Sequence, residues 1–496
     1  MLNASLSLTD QALKDSFVEG SLVIDCLEIK LNRNGPGEPS SFASAGFLLA
    51  SPEQGIEGRF VIARSSHQPY DMFASMREQS ELRSGQLIPP SRYFALEARD
   101  IAGNLWINPS ATVAIEHRLD AFIVKVSCSW LRCESTLESS ASATHMVFMD
   151  ELSFPDNVIH SQRVLERGKK QWKLSSNSSA GEAAGMLVTY DARVDRPGPS
   201  YGELFAANQS KTALPDNFDD RLVEAIRFCT ATVTEPVMRE TVHNGKRVLE
   251  LTSHRPANKG MLEPPLQPRG NDADFYGLLE RYFFYAAANA AGRDFAPLSA
   301  KVGGLFALKG VNLDTIALLV SVAVESVLGE KSFQKLGTPS VTVLEQLKQM
   351  IKHIRAAAQV EPNFVKRVCD VLGGIKSSRA KDKLHALVLA SAIDEADRKA
   401  WNDTRNKAAH GSFEIDPAKF QELIDVVFRL SALVYKLVFL QIGYKGKFTD
   451  YGEHDWPLRD FAADLTSISS GSVAATSSPV AAKSTVEPRE LKDTSL

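Results

Sequence analysis

The sequence predicts an α+β protein with an antiparallel β-rich, sandwich-like domain first and an all-α helical bundle after it. Between residues 19 and 255 the apolar residues mainly alternate with polar ones or form short runs bounded by turn residues, which is typical of strands. Residues 256–272 contain four prolines and two glycines, the composition of a linker. After residue 272 the apolar residues recur at helical spacing.

The length and composition set the number of domains. The chain has 496 residues, 44% of them apolar and 23% charged, which is globular composition and more than one core usually holds. We assign residues 1–255 to the β-rich domain, 256–272 to the linker and 273–445 to the helical domain. Residues 446–496 form a C-terminal segment that we expect to be disordered from about residue 467, because Ser, Ala, Thr and Pro dominate there.

The β-rich half begins with apolar runs at residues 22–29 and 59–63 and continues with a predicted hairpin over residues 93–107. A stronger hairpin is predicted around Asn244-Gly245, because this pair accepts the positive backbone angles of a two-residue turn. One amphipathic helix, at about residues 218–230, interrupts the strands. We expect this half to form a sandwich or a curled sheet.

The second half is predicted to be helical throughout. Apolar residues at positions i, i+3 and i+4 give one wide stripe along the last helix, and such a stripe faces a core. The predicted helices cover residues 275–290, 313–328, 341–359, 363–376, 381–392, 393–409 and 417–442.

Composition also excludes several classes of function. A formal net charge of −4 excludes a globally basic nucleic-acid binder, although a local basic patch is allowed. The five cysteines have no zinc-ligand spacing, no nucleotide-binding fingerprint is present, and Asp394, Glu395 and Asp397 are expected on an exposed helix start. We expect neither metal nor cofactor. Because no signal peptide or membrane span is apparent, we expect a soluble, cytoplasmic protein without membrane contact.

The candidate catalytic residues are Arg405, Asn406 and His410, which lie between two predicted helices. Arginine is a permanently charged fork for phosphate oxygens, and histidine exchanges a proton near neutral pH. Together these groups suit cleavage of an RNA phosphodiester.

Spacing alone does not single out these residues. Arg247 with His254 and Arg379 with His385 show similar spacings, and one or two such matches arise by chance in a chain of this size. The first pair begins in a predicted hairpin strand and the second lies in a basic, solvated segment. Context therefore favours Arg405.

The segment Arg405-Asn406-Lys407-Ala408-Ala409-His410 resembles the Arg-Asn-x-x-x-His motif of HEPN domains, the all-α ribonuclease module of many bacterial toxins and antiviral defence proteins. In that family a long closing helix follows the motif, as residues 417–442 would here. The family's first core helix often carries an acidic residue, and Glu325 fits that position. The resemblance covers about residues 312–444. A β-rich half before such a bundle is similar to ApeA-type abortive-infection proteins.

The resemblance implies a metal-independent endoribonuclease that acts as a homodimer with the cleft at its interface. On a regular helix Arg405 and His410 would point about 140° apart with a rise of roughly 7.5 Å, so one helix does not easily bring both to one phosphate. Either the helix ends before His410, which Gly411 permits, or two copies combine their residues.

The expected roles follow from the chemistry. His410 would transfer the proton of the 2′-hydroxyl or of the leaving oxygen, Arg405 would stabilise the transition state, and Asn406 would orient the phosphate or the imidazole. Glu325 is either a supporting residue or a core acid satisfied by Arg405. Weaker candidates for RNA contact, which are equally well explained as solvated helix residues, are Lys407, Lys399 and Arg398.

Two alternatives remain open. The bundle could be a non-catalytic dimerisation and binding module whose arginine and histidine are structural. Nucleotidyl transfer would need an acidic metal pair that the sequence does not offer. The β-rich half is expected either to recognise a phage-derived trigger or to restrain the nuclease.

Overall fold

A computed structural model gives the fold as an antiparallel β-rich N-terminal region followed by a C-terminal helical region, which confirms the coarse fold class. The structure describes residues 10–35, 41–63, 87–118, 120–138, 141–158, 163–167, 170–174, 178–193, 199–210, 213–254, 260–290, 292–308, 310–356, 361–375, 377–409 and 420–471.

The described strands pair antiparallel throughout. They are β1 (Leu22–Arg33), β2 (Ser41–Ser51), β3 (Gly55–Ala63), β4 (Phe94–Asp100), β5 (Leu105–His117), β6 (Ala121–Cys128), β7 (Trp130–Thr136), β8 (Ala143–Phe148), β9 (Arg163–Arg167), β10 (Lys170–Leu174), β11 (Ser178–Ala183), β12 (Met186–Arg193), β13 (Tyr201–Asn208), β14 (Met238–His243), β15 (Lys246–Thr252), β16 (Gly446–Thr449) and β17 (Leu458–Phe461).

The helices lie mainly in the second half of the chain. They are α1 (Gln11–Val18), α2 (Phe218–Thr230), α3 (Asp272–Asn289), α4 (Pro297–Val302), α5 (Leu313–Leu328), α6 (Val341–Ala356), α7 (Pro362–Gly374), α8 (Ala380–Leu389), α9 (Glu395–Ala409), α10 (Phe420–Ile442) and α11 (Leu465–Gly471), with short 3₁₀ turns at Pro90–Arg92, Gly303–Ala307 and Lys331–Phe333. Among the helices described, none combines the length and the apolarity needed to span a bilayer.

Six strands close into a barrel, so of the two expected arrangements the curled sheet is nearer to the observed fold than the sandwich. Their order is β1-β2-β3-β6-β5-β4, and the ring closes because β6 pairs with both β3 and β5. Leu22, Ile24 and Cys26 of β1 point into the barrel core and alternate with exposed residues. An irregularity in pairing after Cys26 is consistent with the strong twist that closure requires.

The sheet continues outside the barrel from β5 through β7, β15, β14, β8, β13 and β12 to β11. The predicted Asn244-Gly245 hairpin is confirmed: β14 and β15 pair up to His243 and Lys246, and both turn residues have positive φ, 50° and 74°. The hairpin predicted over residues 93–107 is confirmed as β4 and β5.

A second hydrophobic core joins the outer strands to the helical region. It combines side chains of β8, β12, β13 and α2 with those of α3, α5 and α10. The Phe228 ring of α2 stacks on Tyr282 of α3 at 4.5 Å between centroids and meets Tyr435 of α10 edge-on at 6.0 Å. This core therefore extends across the boundary that the sequence places at residue 255.

The described part of the predicted linker packs against the helical region. Leu262 and Leu266 are buried in the second core. The Tyr435 hydroxyl donates to the carbonyl oxygen of Glu263 at 2.6 Å, and the backbone N–H of Thr449 donates to that of Pro265 at 3.0 Å. Residues 260–268 thus form a strap over α10, while residues 255–259 lie outside the described part.

The ends of several helices differ from their predicted positions. Ser391, with a φ of 56°, lies in the break between α8 and α9. The described part of α10 begins at Phe420. Residues 465–471, within the segment predicted to lose structure near residue 467, form α11, and residues 472–496 are outside the described range.

Candidate functional site

Helix α9 carries the motif and is anchored to α5 by its buried face. Trp401 and Thr404 are buried, and the Trp401 indole Nε1–H donates to the carbonyl oxygen of Ser321 at 3.1 Å. Arg405 lies four residues after Trp401, and residues three and four apart share a helix face. Arg405 therefore lies at the edge of the buried stripe formed by Trp401 and Thr404.

The start of α9 is fixed by a cluster of buried charges. The Lys436 ammonium on α10 lies 3.0 Å from Asp397 Oδ2 and 3.1 Å from Asp450 Oδ2, and all three residues are buried. Arg429 Nη1 lies 3.3 Å from the other Asp397 oxygen. Burial alone would lower the pKa of Lys436, but the Asp397 and Asp450 carboxylates outweigh it and the pKa is raised.

This cluster corrects one expectation. Asp397 was predicted on an exposed helix start, but it is fully buried, because its charge is matched by Lys436 and Arg429 of α10. Asp394 and Glu395 are exposed as expected. No local sequence pattern indicates this cluster, since its members are far apart along the chain.

Arg405 and Glu325 are brought together by the packing of α9 on α5. Arg405 Nε donates to Glu325 Oε1 at 2.5 Å, and the two side chains are 41% and 35% exposed. Within the described residues, the two terminal nitrogens of the guanidinium donate to no acceptor. Glu325 therefore holds the guanidinium at Nε, while the Arg405 side chain stays partly exposed.

The other residues of α9 that the sequence predicts for the site differ in exposure and in ion pairing. Asn406, Lys407 and Lys399 are exposed. Arg398 instead pairs with Glu395 on its own helix, with Nε donating to Oε2 at 2.8 Å, and this hydrogen bond raises the pKa of Arg398.

His410 lies outside the described residues, as do residues 411–419 that follow it. The last residue of α9 is Ala409. The two arrangements proposed for Arg405 and His410, within one chain or across two copies, therefore both stay predictions.

The described geometry supplies one oriented cation at a surface. A guanidinium held at Nε presents its two outer nitrogens as a fork, the geometry that matches two oxygens of a phosphate. Across the described ranges, no three His, Cys, Asp or Glu side chains form a group that could hold a metal ion.

Comparison of the chain with protein-family models, with curated proteins and with solved structures finds no match. The resemblance to HEPN domains rests on the motif at residues 405–410 and on the order of the helices around it.

Proposed function

We propose that this protein is a cytoplasmic, metal-independent RNA endonuclease of the HEPN type that acts in bacterial antiphage abortive infection. The observation that carries the proposal is the half-exposed Arg405 guanidinium, held by Glu325 at 2.5 Å on the helix that leads to His410. The long helix α10 follows the motif, in the order that a HEPN-like bundle requires.

In the proposed reaction the 2′-hydroxyl of RNA attacks the adjacent phosphorus, and the 5′-oxygen of the next nucleotide leaves. His410 takes the hydroxyl proton or supplies a proton to the leaving oxygen. The two outer nitrogens of Arg405 donate to the phosphate oxygens as negative charge builds up on them. Asn406, exposed one residue further along α9, orients the phosphate or the imidazole. The products are a 2′,3′-cyclic phosphate and a 5′-hydroxyl.

We further propose that two copies of the chain form a homodimer and that the cleft lies at their interface. A regular helix would place the side chains of Arg405 and His410 on different faces, and a second copy supplies the missing group. The β-rich half would bind a phage-derived trigger. Its shared core with the helical region, through α2 and β8, offers a rigid connection by which binding could reach the nuclease.

The test is cleavage of RNA by purified full-length protein in EDTA, followed by analysis of the RNA ends. Arg405→Ala and His410→Ala proteins, folded by circular dichroism, should lose cleavage by at least about 100-fold. Arg367→Ala is a matched control, because Arg367 is an exposed helical arginine on α7, away from the motif. Wild-type rates in the His410→Ala protein, or ends other than cyclic phosphate, would contradict the mechanism.

A second function, a non-catalytic dimerisation and binding module, is favoured by one feature of the same contact. The pair of Arg405 and Glu325 ties α9 to α5 and would serve a structural role without any substrate. Expression in bacteria under triggering conditions separates the two functions. A nuclease arrests growth and Arg405→Ala relieves the arrest, whereas a binding module gives the same growth with either protein.

A further inference from the structure

A polar cleft lies where the β-rich region meets the helical region, and it contains none of the residues of the candidate nuclease site. Its volume is about 350 Å³. It lies between α2, the start of β14 and the turn that follows α3. A neighbouring hollow of about 310 Å³ shares Asn217, Arg293 and Asp294 with it. Clefts of this size are common for small organic ligands.

Four arginines line the cleft, against three carboxylates. Two of the four are already engaged by acids: Arg239 contacts Asp219, Asp220 and Glu250, and Arg227 contacts Glu235 while its Nε donates to a backbone carbonyl oxygen. The carboxylates of Asp220 and Glu235 are therefore largely neutralised by these partners.

The other two arginines are less well satisfied. Arg221 is 1% exposed; it contacts Glu224 and donates through Nη2 to the carbonyl oxygen of Asp294 at 2.8 Å. Its Nε–H, however, has no acceptor in the part of the chain that the structure describes. Arg293 is exposed, and its guanidinium has no hydrogen bond or ion pair to any described residue. Because Arg221 is sealed from solvent, its unpartnered Nε–H does not face the cleft opening, and Arg293 is the guanidinium that an entering ligand would meet.

The cleft also has an aromatic wall. The Phe295 side chain is 45% exposed, and the Arg227 guanidinium lies 5.6 Å from its ring centroid. The loop that carries both Arg293 and Phe295 is held against α2, because Glu224 Oε2 accepts a hydrogen bond from the backbone N–H of Ala296 at 2.9 Å. An exposed ring beside arginines provides a stacking surface next to phosphate-binding groups.

We propose that this cleft binds a phosphate-bearing small molecule of about nucleotide size, with its phosphate at Arg293 and its planar part against Phe295. This site is independent of the proposed nuclease site on α9. Because residues of both regions line the cleft, a small molecule bound there would contact both regions.

The experiment is isothermal titration calorimetry of the full-length protein with ATP and with pyrophosphate. Both probes should bind, and Arg293→Ala should weaken both by about tenfold or more, because it removes a charge-assisted contact. Arg281→Ala is the matched control, since Arg281 is an exposed arginine on α3 that does not line the cleft. Phe295→Ala should weaken ATP and leave pyrophosphate unchanged.

Three results would overturn the proposal: no binding of either probe at millimolar concentration, equal binding by wild type and Arg293→Ala, or loss of binding in Arg405→Ala. The last result would place the phosphate at the nuclease site instead. If Phe295→Ala binds ATP as tightly as wild type, the stacking surface is wrong. Because binding of pyrophosphate requires no RNA cleavage, these outcomes are distinguishable from failure of the proposed nuclease.

Discussion

Replacing Lys436 by methionine should destabilise the helical core, because it leaves buried carboxylates without their counter-charge. The ammonium lies 3.0 Å from Asp397 and 3.1 Å from Asp450, whose side chains are 0% and 5% exposed. Removing one partner of a buried pair typically costs 3–5 kcal/mol. Arg429 keeps one contact to Asp397 at 3.3 Å, so the lower end, about 3 kcal/mol, is expected here.

Two assays measure this loss. Urea denaturation gives the free energy of unfolding directly. In differential scanning calorimetry, a loss of this size corresponds to a fall in Tm of roughly 6–12 °C. Lys348→Met is the matched control: this lysine pairs with Glu345 at 2.6 Å, but both side chains are more than half exposed, so the change should cost less than about 0.5 kcal/mol. Adding Asp397→Asn to Lys436→Met should recover part of the lost stability. Equal stability of the Lys436→Met and Lys348→Met proteins would refute the reasoning.

Two further predictions concern Glu203 and Glu325. Burial raises the pKa of Glu203, but hydrogen bonds from His145 and Lys14 outweigh it and the pKa falls to about 2. The stabilisation by the Glu203 carboxylate is therefore present above pH 4.5 and is lost as the pH falls through about 2. In urea denaturation, the difference in free energy of unfolding between wild type and Glu203→Gln should shrink by about 3 kcal/mol between pH 5 and pH 2. A difference that stays constant over this range would contradict the assignment. Glu325→Ala should lower kcat for RNA cleavage about tenfold with little change in KM, while Glu325→Gln, which keeps an acceptor for Arg405, should lie closer to wild type; unchanged kcat in the alanine variant would exclude a positioning role.

The features that could be predicted from the sequence are those fixed by near neighbours. The Asn244-Gly245 turn specifies its own hairpin, and the apolar spacing of α5 and α10 specifies helices, since both signals lie within one element. Closure of the barrel could not be predicted. It depends on pairing β6 with β3, for example Cys128 opposite Ile56, and no local pattern encodes that distant register.

The candidate site divides in the same way. The proximity of Arg405 and Glu325 was open to prediction, because one sequence motif and one acid on an apolar helix suggested partners. The burial of Asp397 was not, because an acid at a helix start is usually solvated and its two cationic partners lie on another helix. The spacing of residues along the sequence does not show which charged groups pair when they are far apart in the chain.

Helix α2 contacts both the arginine cleft and the core that supports α9. Its polar first turn lines the arginine cleft, while Phe228 in its last turn packs between α3 and α10. Helix α10 in turn carries Lys436 and Arg429, which fix the start of α9 and so the direction of Arg405. A path of packed side chains and buried ion pairs thus runs from α2 through α10 to α9, and we expect a ligand in the cleft to influence Arg405 along it. Because this path passes through α2, which precedes the predicted linker, we expect the site proposed on α9 to depend on the β-rich half as well as on the helical region.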